Sequence, residues 1–206
     1  MFDETITRWG THSAKWDLLA AHLGEDALSL SVADMEFATC PEVSRAIADA
    51  CAEGIFGYTE VFDDFREAAA LWQERRHGWA LEPGDVHFFP RIVQCVSALC
   101  SIILPGSLGR PPRVVTLDPA YGPINEVVER AGCELRRVPL DLSGETPRIP
   151  EDLFARAMEG ADLLLWCSPH NPTGRVWSER EMDVVASLAL LGDVLVLSDD
   201  IHADFQ

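Results

Sequence analysis

Two apolar runs anchor the hydropathy pattern of the chain: LLLWCS at 163–168 and VLVLS at 194–198. Both are short enough for strands and neither alternates, which predicts strands buried on both faces, as in a parallel sheet. Between them Ser178 followed by Glu181 reads as a capping box. Val184, Val185, Leu188 and Leu191 mark the inner face of a helix that stops at Gly192. Strand, helix, strand is a βαβ unit that should cross over right-handedly. Upstream, VVTL at 114–117 is another buried strand, followed by a helix at roughly 123–131, Gly132 and the strand CELRRVPL. Residues 141–150 are polar, and a helix over 150–159 returns the chain to the strand at 163. Further back, VHFFPRIVQCVSALCSIIL at 86–104 reads as a short strand running into a helix, with Val93, Val96, Cys100 and Ile103 as its stripe. Two earlier helices are predicted. One runs from Pro41 to Gly54 with a stripe of Val43, Ile47, Ala50 and Cys51; the other covers 63–77 with Phe65, Ala69 and Trp72 inward. Residues 1–30 read as an arm with little regular structure. The alternation from residue 86 onward predicts an α/β fold, a mostly parallel sheet with helices on both faces.

The polar residues of interest fall just after the strands. The 163–168 run continues into Ser168-Pro169-His170-Asn171-Pro172-Thr173-Gly174, and the 194–198 run into Asp199-Asp200-Ile201-His202. Ligands of open α/β sheets bind outside the carboxyl ends of the strands, so both clusters should face one crevice. Pro172 restricts Asn171, and Gly174 permits a turn closed to other residues, which suits a fixed ligand contact. An ordinary strand-to-helix loop accounts for the same residues, and a solvated or capping carboxylate accounts for Asp199 alone. Tyr121, in DPAYGP at the end of 114–117, either stacks on a planar ligand or fills a gap in its loop. The amides of Arg91, Ile92 and Val93 at a helix start form either a phosphate seat or the beginning of a plain buried helix. Tyr58, in the loop GIFGYTE, is either a contact residue or simple packing.

Composition narrows the field. The 206 residues can bury a real core, and the formal charge of −18 disfavours nucleic acid and anionic membranes as partners. No apolar run reaches spanning length, and the acidic start MFDETITRWG reads as no signal peptide. Six cysteines without metal-ligand spacing predict reduced thiols in a cytoplasmic protein. No glycine-rich nucleotide fingerprint is present.

SPHNPTGRVW followed by SDDIHADF resembles the fold-type I, pyridoxal-phosphate-dependent aminotransferase superfamily (class I/II), where Asn-Pro-x-Gly and Ser-Asp-x-x-Tyr/His are signatures. VADMEF at 32–37, GIFGYTE and His202 are similar to the cystathionine β-lyase branch, the C–S lyases of MalY–PatB type. The resemblance implies a large-domain fold of that type, incomplete here, over residues 51–206. Residues 1–50 would be an N-terminal arm and small-domain segment. It implies pyridoxal 5′-phosphate as cofactor. Asp199 would pair with the ring nitrogen, Asn171 would bond the phenolic oxygen with His202 nearby, and Tyr121 would stack on the ring as the one candidate catalytic side chain. The Ile92 and Val93 amides would hold the phosphate, and Tyr58 would reach the cofactor of a neighbouring subunit in a homodimer. Asp200 stands where the family has Glu.

The family's Schiff-base lysine lies in a Ser-x-Ser/Thr-Lys-x-Phe segment beyond the aspartate motif, and the sequence stops at Gln206 before it. Lys15, the only lysine, lies in the arm and is not expected to substitute. The expected activity is α,β-elimination of a cysteine S-conjugate to a thiol, pyruvate and ammonia. An aminotransferase and a non-catalytic, partner-binding fragment are the alternatives. A DNA-binding regulator is disfavoured, since no basic helical module precedes residue 30.

Overall fold

The computed structural model describes Glu4, residues 6–24 and residues 26–205, in two units that divide in sequence between Glu60 and Val61. The first unit is held by polar contacts. A π-helical turn, Ala14–Leu19, is capped by the Ser13 hydroxyl, which accepts from the Trp16 amide at 3.3 Å. Lys15, 5% exposed, donates to the Asp34 carbonyl at 3.2 Å and pairs with Glu36 at 2.5 Å. The Trp16 indole N–H donates to the same carboxylate at 3.2 Å, and Arg8 pairs with Asp34 at 3.2 Å. The stretch 32–37 thus supplies the acidic half of a clasp on the arm. Helix α1 (Pro41–Ala52) starts at its proline as expected. Its apolar stripe is not covered within the unit: Val43 and Ile47 are exposed, because Ala20 is the only buried apolar residue described there.

The second unit opens with α2 (Asp63–His77), closed by Gly78 in the left-handed region and bearing Arg75, Arg76 and His77 in its last turn, where cations suit the helix dipole. Phe65 and Trp72 were expected inward, yet both are about half exposed and Ala70 is the buried residue. Phe65 instead packs edge-on against Phe88, and Trp72 turns its indole N–H to Asp204. The strand expected at 86–89 is unpaired chain following the turn Pro83–Asp85.

Helix α3 (Ile92–Ala98) runs through a π-helical segment, Leu99–Ile103, into α4 (Leu104–Leu108). Val96 and Cys100 are fully buried as the stripe predicts, but Ile103 is 52% exposed. A π turn advances the helix by an extra residue, so Leu104 takes the inward place instead. Then follow β1 (Arg113–Asp118), α5 (Gly122–Arg130), β2 (Glu134–Pro139), α6 (Glu151–Met158), β3 (Leu163–Cys167), α7 (Glu179–Gly192) and β4 (Leu195–Asp199). The four strands are parallel in the order β2-β1-β3-β4.

Period-two alternation sorts the strand side chains into two cores. On one face Val115, Leu117, Leu164 and Trp166 meet Phe154 and Met158 of α6 and Val185 and Ala189 of α7. On the other, Val114, Leu163 and Leu165 meet Val96 and Cys100 with Ile124 and Val128 of α5. Each large side chain enclosed this way contributes about 1.5–3 kcal/mol. β1 and β3 are buried on both faces as expected. β4 is not: Leu195 and Val196 are exposed because only β3 pairs with it, leaving it at the sheet edge. The capping box on α7 forms as read, with Ser178 and Glu181 satisfying each other's backbone N–H groups. Two details of α7 differ. Ala189 is buried while Leu191 is 86% exposed, and the left-handed residue closing the helix is Asp193 (φ 51°), with Gly192 still helical.

Candidate functional site

From β1 the chain moves outward to β2, and from β3 it moves the other way to β4. The carboxyl ends of β1 and β3 therefore flank a topological switch point, where such sheets leave a crevice. A cleft opens there, lined among others by Thr116, Tyr121, Cys167, His170, Asn171 and Asp199. Its mixed polar and apolar lining suits a small organic ligand.

Asp199 ends β4 with 7% of its surface exposed. Its Oδ1 accepts from the Ile201 amide at 3.2 Å. Burial pushes its pKa above the usual carboxylate range; the Ile201 bond and the charge of His202 oppose that, and Asp200 adds to it. A buried carboxylate with one amide donor favours a cationic partner. Asn171 sits in a tight turn in which the His170 N–H donates to the Arg175 carbonyl at 2.8 Å and the Gly174 N–H to the His170 carbonyl at 2.7 Å. Gly174 has φ +69°, the left-handed backbone its place required. The Asn171 backbone N–H reaches the Cys167 thiol at 3.5 Å, and its side-chain amide has no partner among the described residues. Tyr121, the residue before α5, lines the cleft with about half its surface open. The peptide bonds Asp118–Pro119, Ser168–Pro169 and Asn171–Pro172 are cis.

The loop is braced from behind. Trp177, 2% exposed, donates its indole N–H to the Cys167 carbonyl at 2.9 Å, and Arg175 lies over its ring at 5.1 Å. Arg175 also grips Glu181 through both carboxylate oxygens, at 2.9 and 2.8 Å, so the cap of α7 and the cleft loop share an anchor.

Of the residues singled out in the sequence, Asp199, Asn171 and Tyr121 converge on the cleft. His202 does not line it but is near enough for its charge to act on Asp199. Ile92 and Val93 begin α3 after an extended Arg91 that makes no side-chain cap. Their amides meet no acceptor among the described residues, while their side chains pack against the core that contains Ile124, a cleft residue. Tyr58 lies in the first unit, fully exposed. Sequence reasoning placed His170 in a cluster facing the crevice without giving it a role, and passed over Thr116 and Cys167 as lining residues. The available signal was polarity: each is a polar or thiol side chain at the carboxyl end of an apolar run.

Among the described residues no group of His, Cys, Asp and Glu is arranged to hold a metal ion, and no helix is long and apolar enough to cross a membrane. The chain is 35% identical over 209 residues to cystathionine beta-lyase PatB of Bacillus subtilis, covering 100% of this chain and 53% of that protein. Among solved structures it superposes on a PLP-bound putative aminotransferase from Clostridium difficile with TM-score 0.86 and 28% identity, covering 98% of this chain and 52% of the other. It likewise matches the PLP-bound C–S lyase from Staphylococcus hominis with TM-score 0.84 and 28% identity, covering 97% and 51%. The chain thus spans about half the length of the relatives it matches. The family model for aminotransferase class I and II matches residues 25–206, and the chain belongs to that family.

Proposed function

We propose that the cleft at the β1–β3 switch point holds pyridoxal 5′-phosphate, and that the chain carries the cofactor-binding part of a C–S β-lyase acting on cysteine S-conjugates. The observation that carries this reading is Asp199: a buried carboxylate at a strand end, beside an unpartnered amide and an open aromatic face. When bound, the cofactor supplies an electron sink for charge developing at the α-carbon of an amino acid. Asp199 would hold the proton on the ring nitrogen, with His202 near it. Asn171 would donate to the ring oxygen, Tyr121 would cover a ring face, and the Ile92 and Val93 amides would receive the phosphate at a helix start. Tyr58 would serve the neighbouring subunit's cofactor in a homodimer. Residues 1–50 would form the arm and small-domain segment, and 51–206 the large-domain part. Six free cysteines suit a cytoplasmic setting.

Titration of the chain with pyridoxal 5′-phosphate, followed by tryptophan fluorescence, tests the reading. Trp166 lines the cleft and Trp177 packs beside it, so saturable quenching with one ligand per chain is expected. Linear, non-saturating quenching would overturn it. Two readings compete. The likeness to a putative aminotransferase favours transamination, and analysis of the products of a full-length relative separates the two: pyruvate and ammonia against a new amino acid. The open β4 edge, with Leu190 and Leu191 more than 80% exposed nearby, favours a partner-binding chain, for which the cofactor titration would be silent.

A further inference from the structure

His170 is 3% exposed yet lines the cleft. Its Nδ1 lies 2.8 Å from the Thr173 hydroxyl, and its ring meets Trp177 edge-on, centroids 5.4 Å apart. The Thr173 oxygen also accepts from the Arg175 amide at 3.4 Å. A hydroxyl has one proton to give, and Nδ1 is the only acceptor within its reach among the described residues. Donation from the hydroxyl to a bare Nδ1 gives that proton a partner and leaves the ring proton on Nε2, for which no partner is found among the described residues; the opposite tautomer would have the same oxygen accept from an Nδ1–H.

We propose that His170 is a positioning residue: as the neutral Nε2–H tautomer, clamped between Thr173 and Trp177, it fixes the turn that presents Asn171 to the cleft. The backbone bonds of His170 close that turn at both ends, to Arg175 and from Gly174, so a displaced ring would carry Asn171 with it. Burial holds the His170 pKa below the ordinary imidazole range, in keeping with a neutral ring. Protonation would make both nitrogens donors, reverse the Thr173 bond and cost the hydroxyl proton its acceptor. The charged and titratable groups around this site are Cys167 and Asp199 on the cleft lining and Arg175 over Trp177. The part concerning ligand presentation rests on the cleft being the cofactor site; the tautomer and the clamp do not.

Three measurements on the whole chain test it. Ring nitrogen-15 spectra of the ligand-free chain should show His170 protonated on Nε2; protonation on Nδ1 overturns the assignment. Amide hydrogen exchange at Gly174, whose N–H donates to the His170 carbonyl, should quicken roughly tenfold in His170→Phe and in Thr173→Val, with the β1 and β3 amides unchanged. Wild-type exchange in both variants overturns the clamp, and should His170→Phe not fold, Thr173→Val decides alone. Affinity for pyridoxal 5′-phosphate should fall roughly tenfold in His170→Phe and recover in His170→Asn, whose amide oxygen can stand in for Nδ1. Equal affinity in wild type and His170→Phe overturns the link to presentation. If the wild-type chain binds no cofactor, the functional reading falls, while the ring spectra and exchange rates still judge His170.

Discussion

Replacing Asp199 by Asn separates what the residue does for the fold from what it does for a ligand. The side chains are nearly isosteric, and an amide oxygen can keep the 3.2 Å bond from the Ile201 N–H. The charge is lost. In the ligand-free chain that charge is a burden, since burial raises the Asp199 pKa and the folded state takes up its proton at a higher pH than the unfolded chain. Stability therefore declines as pH rises from the unfolded value through the folded one, and the burden persists at neutral pH. Asp199→Asn should raise stability to urea at neutral pH by about 1 kcal/mol, the scale of a poorly satisfied buried polar group. The gain should vanish at a pH below the ordinary carboxylate value of 3.8, where Asp199 is protonated in both states. Affinity for pyridoxal 5′-phosphate should move oppositely. Removing one partner of a buried charge pair costs about 2–5 kcal/mol, roughly thirty-fold to several thousand-fold in Kd. Urea melts over pH, set beside fluorescence titrations, read both effects. A variant that is less stable at neutral pH, or that binds the cofactor within about threefold of wild type, would refute the reasoning.

Other outcomes follow from the packing. Phe154→Ala, at a side chain with no exposed surface, should cost about 3–5 kcal/mol in chemical denaturation. Ser178→Ala removes the cap of α7 and should cost about 1 kcal/mol, leaving the Arg175–Glu181 pair in place. Because burial lowers the His170 pKa, the unfolded chain protonates first on acidification; stability should decline as pH falls from about 6.5 to the folded value, and His170→Asn should flatten that limb of the urea midpoint. Thiol labelling of the native chain should modify exposed Cys40 and Cys51 first and Cys100 last, since burial pushes the Cys100 thiol to about 12.

How far the sequence spoke depended on whether the deciding interaction was local. Ser178 and Glu181 are three residues apart, so the capping box was readable, and so was the left-handed turn at Gly174. The unbroken apolar runs of β1 and β3 announced their burial on both faces. β4 carries an equally apolar run but lies at the sheet edge, and nothing within a strand reports which neighbours it has. The π segment at Leu99–Ile103 was illegible for a related reason: periodicity assumes a uniform helix, and one extra residue in a turn moved Ile103 out and Leu104 in. At the cleft, Asn171, Asp199 and Tyr121 stood out as polar or aromatic groups following strands. His170 did not, because its place depends on Thr173 and on Trp177, whose ring direction is set by a bond to the far side of the same loop.

The only lysine of the sequence is Lys15, in the first unit. A Schiff base needs an amine free to leave its partners and attack a carbonyl. Lys15 is 5% exposed, paired with Glu36 at 2.5 Å and donating to the Asp34 carbonyl, with the Trp16 ring 6.0 Å away. Those contacts explain why the arm needs a lysine without giving it any chemistry. The proposed cleft contacts by contrast ask nothing of a lysine: a carboxylate, an amide and an aromatic face would hold a planar ring non-covalently. The two facts predict that binding and covalent capture come apart in this chain. Pyridoxal 5′-phosphate should quench the fluorescence reversibly and wash out on gel filtration. Reduction with borohydride, followed by peptide mapping, should find no pyridoxyl group on the peptide that carries Lys15. A stoichiometric adduct there would mean that the amine leaves Glu36 for the cofactor, and the clasp of the first unit would then have to be read as a resting state of a catalytic group.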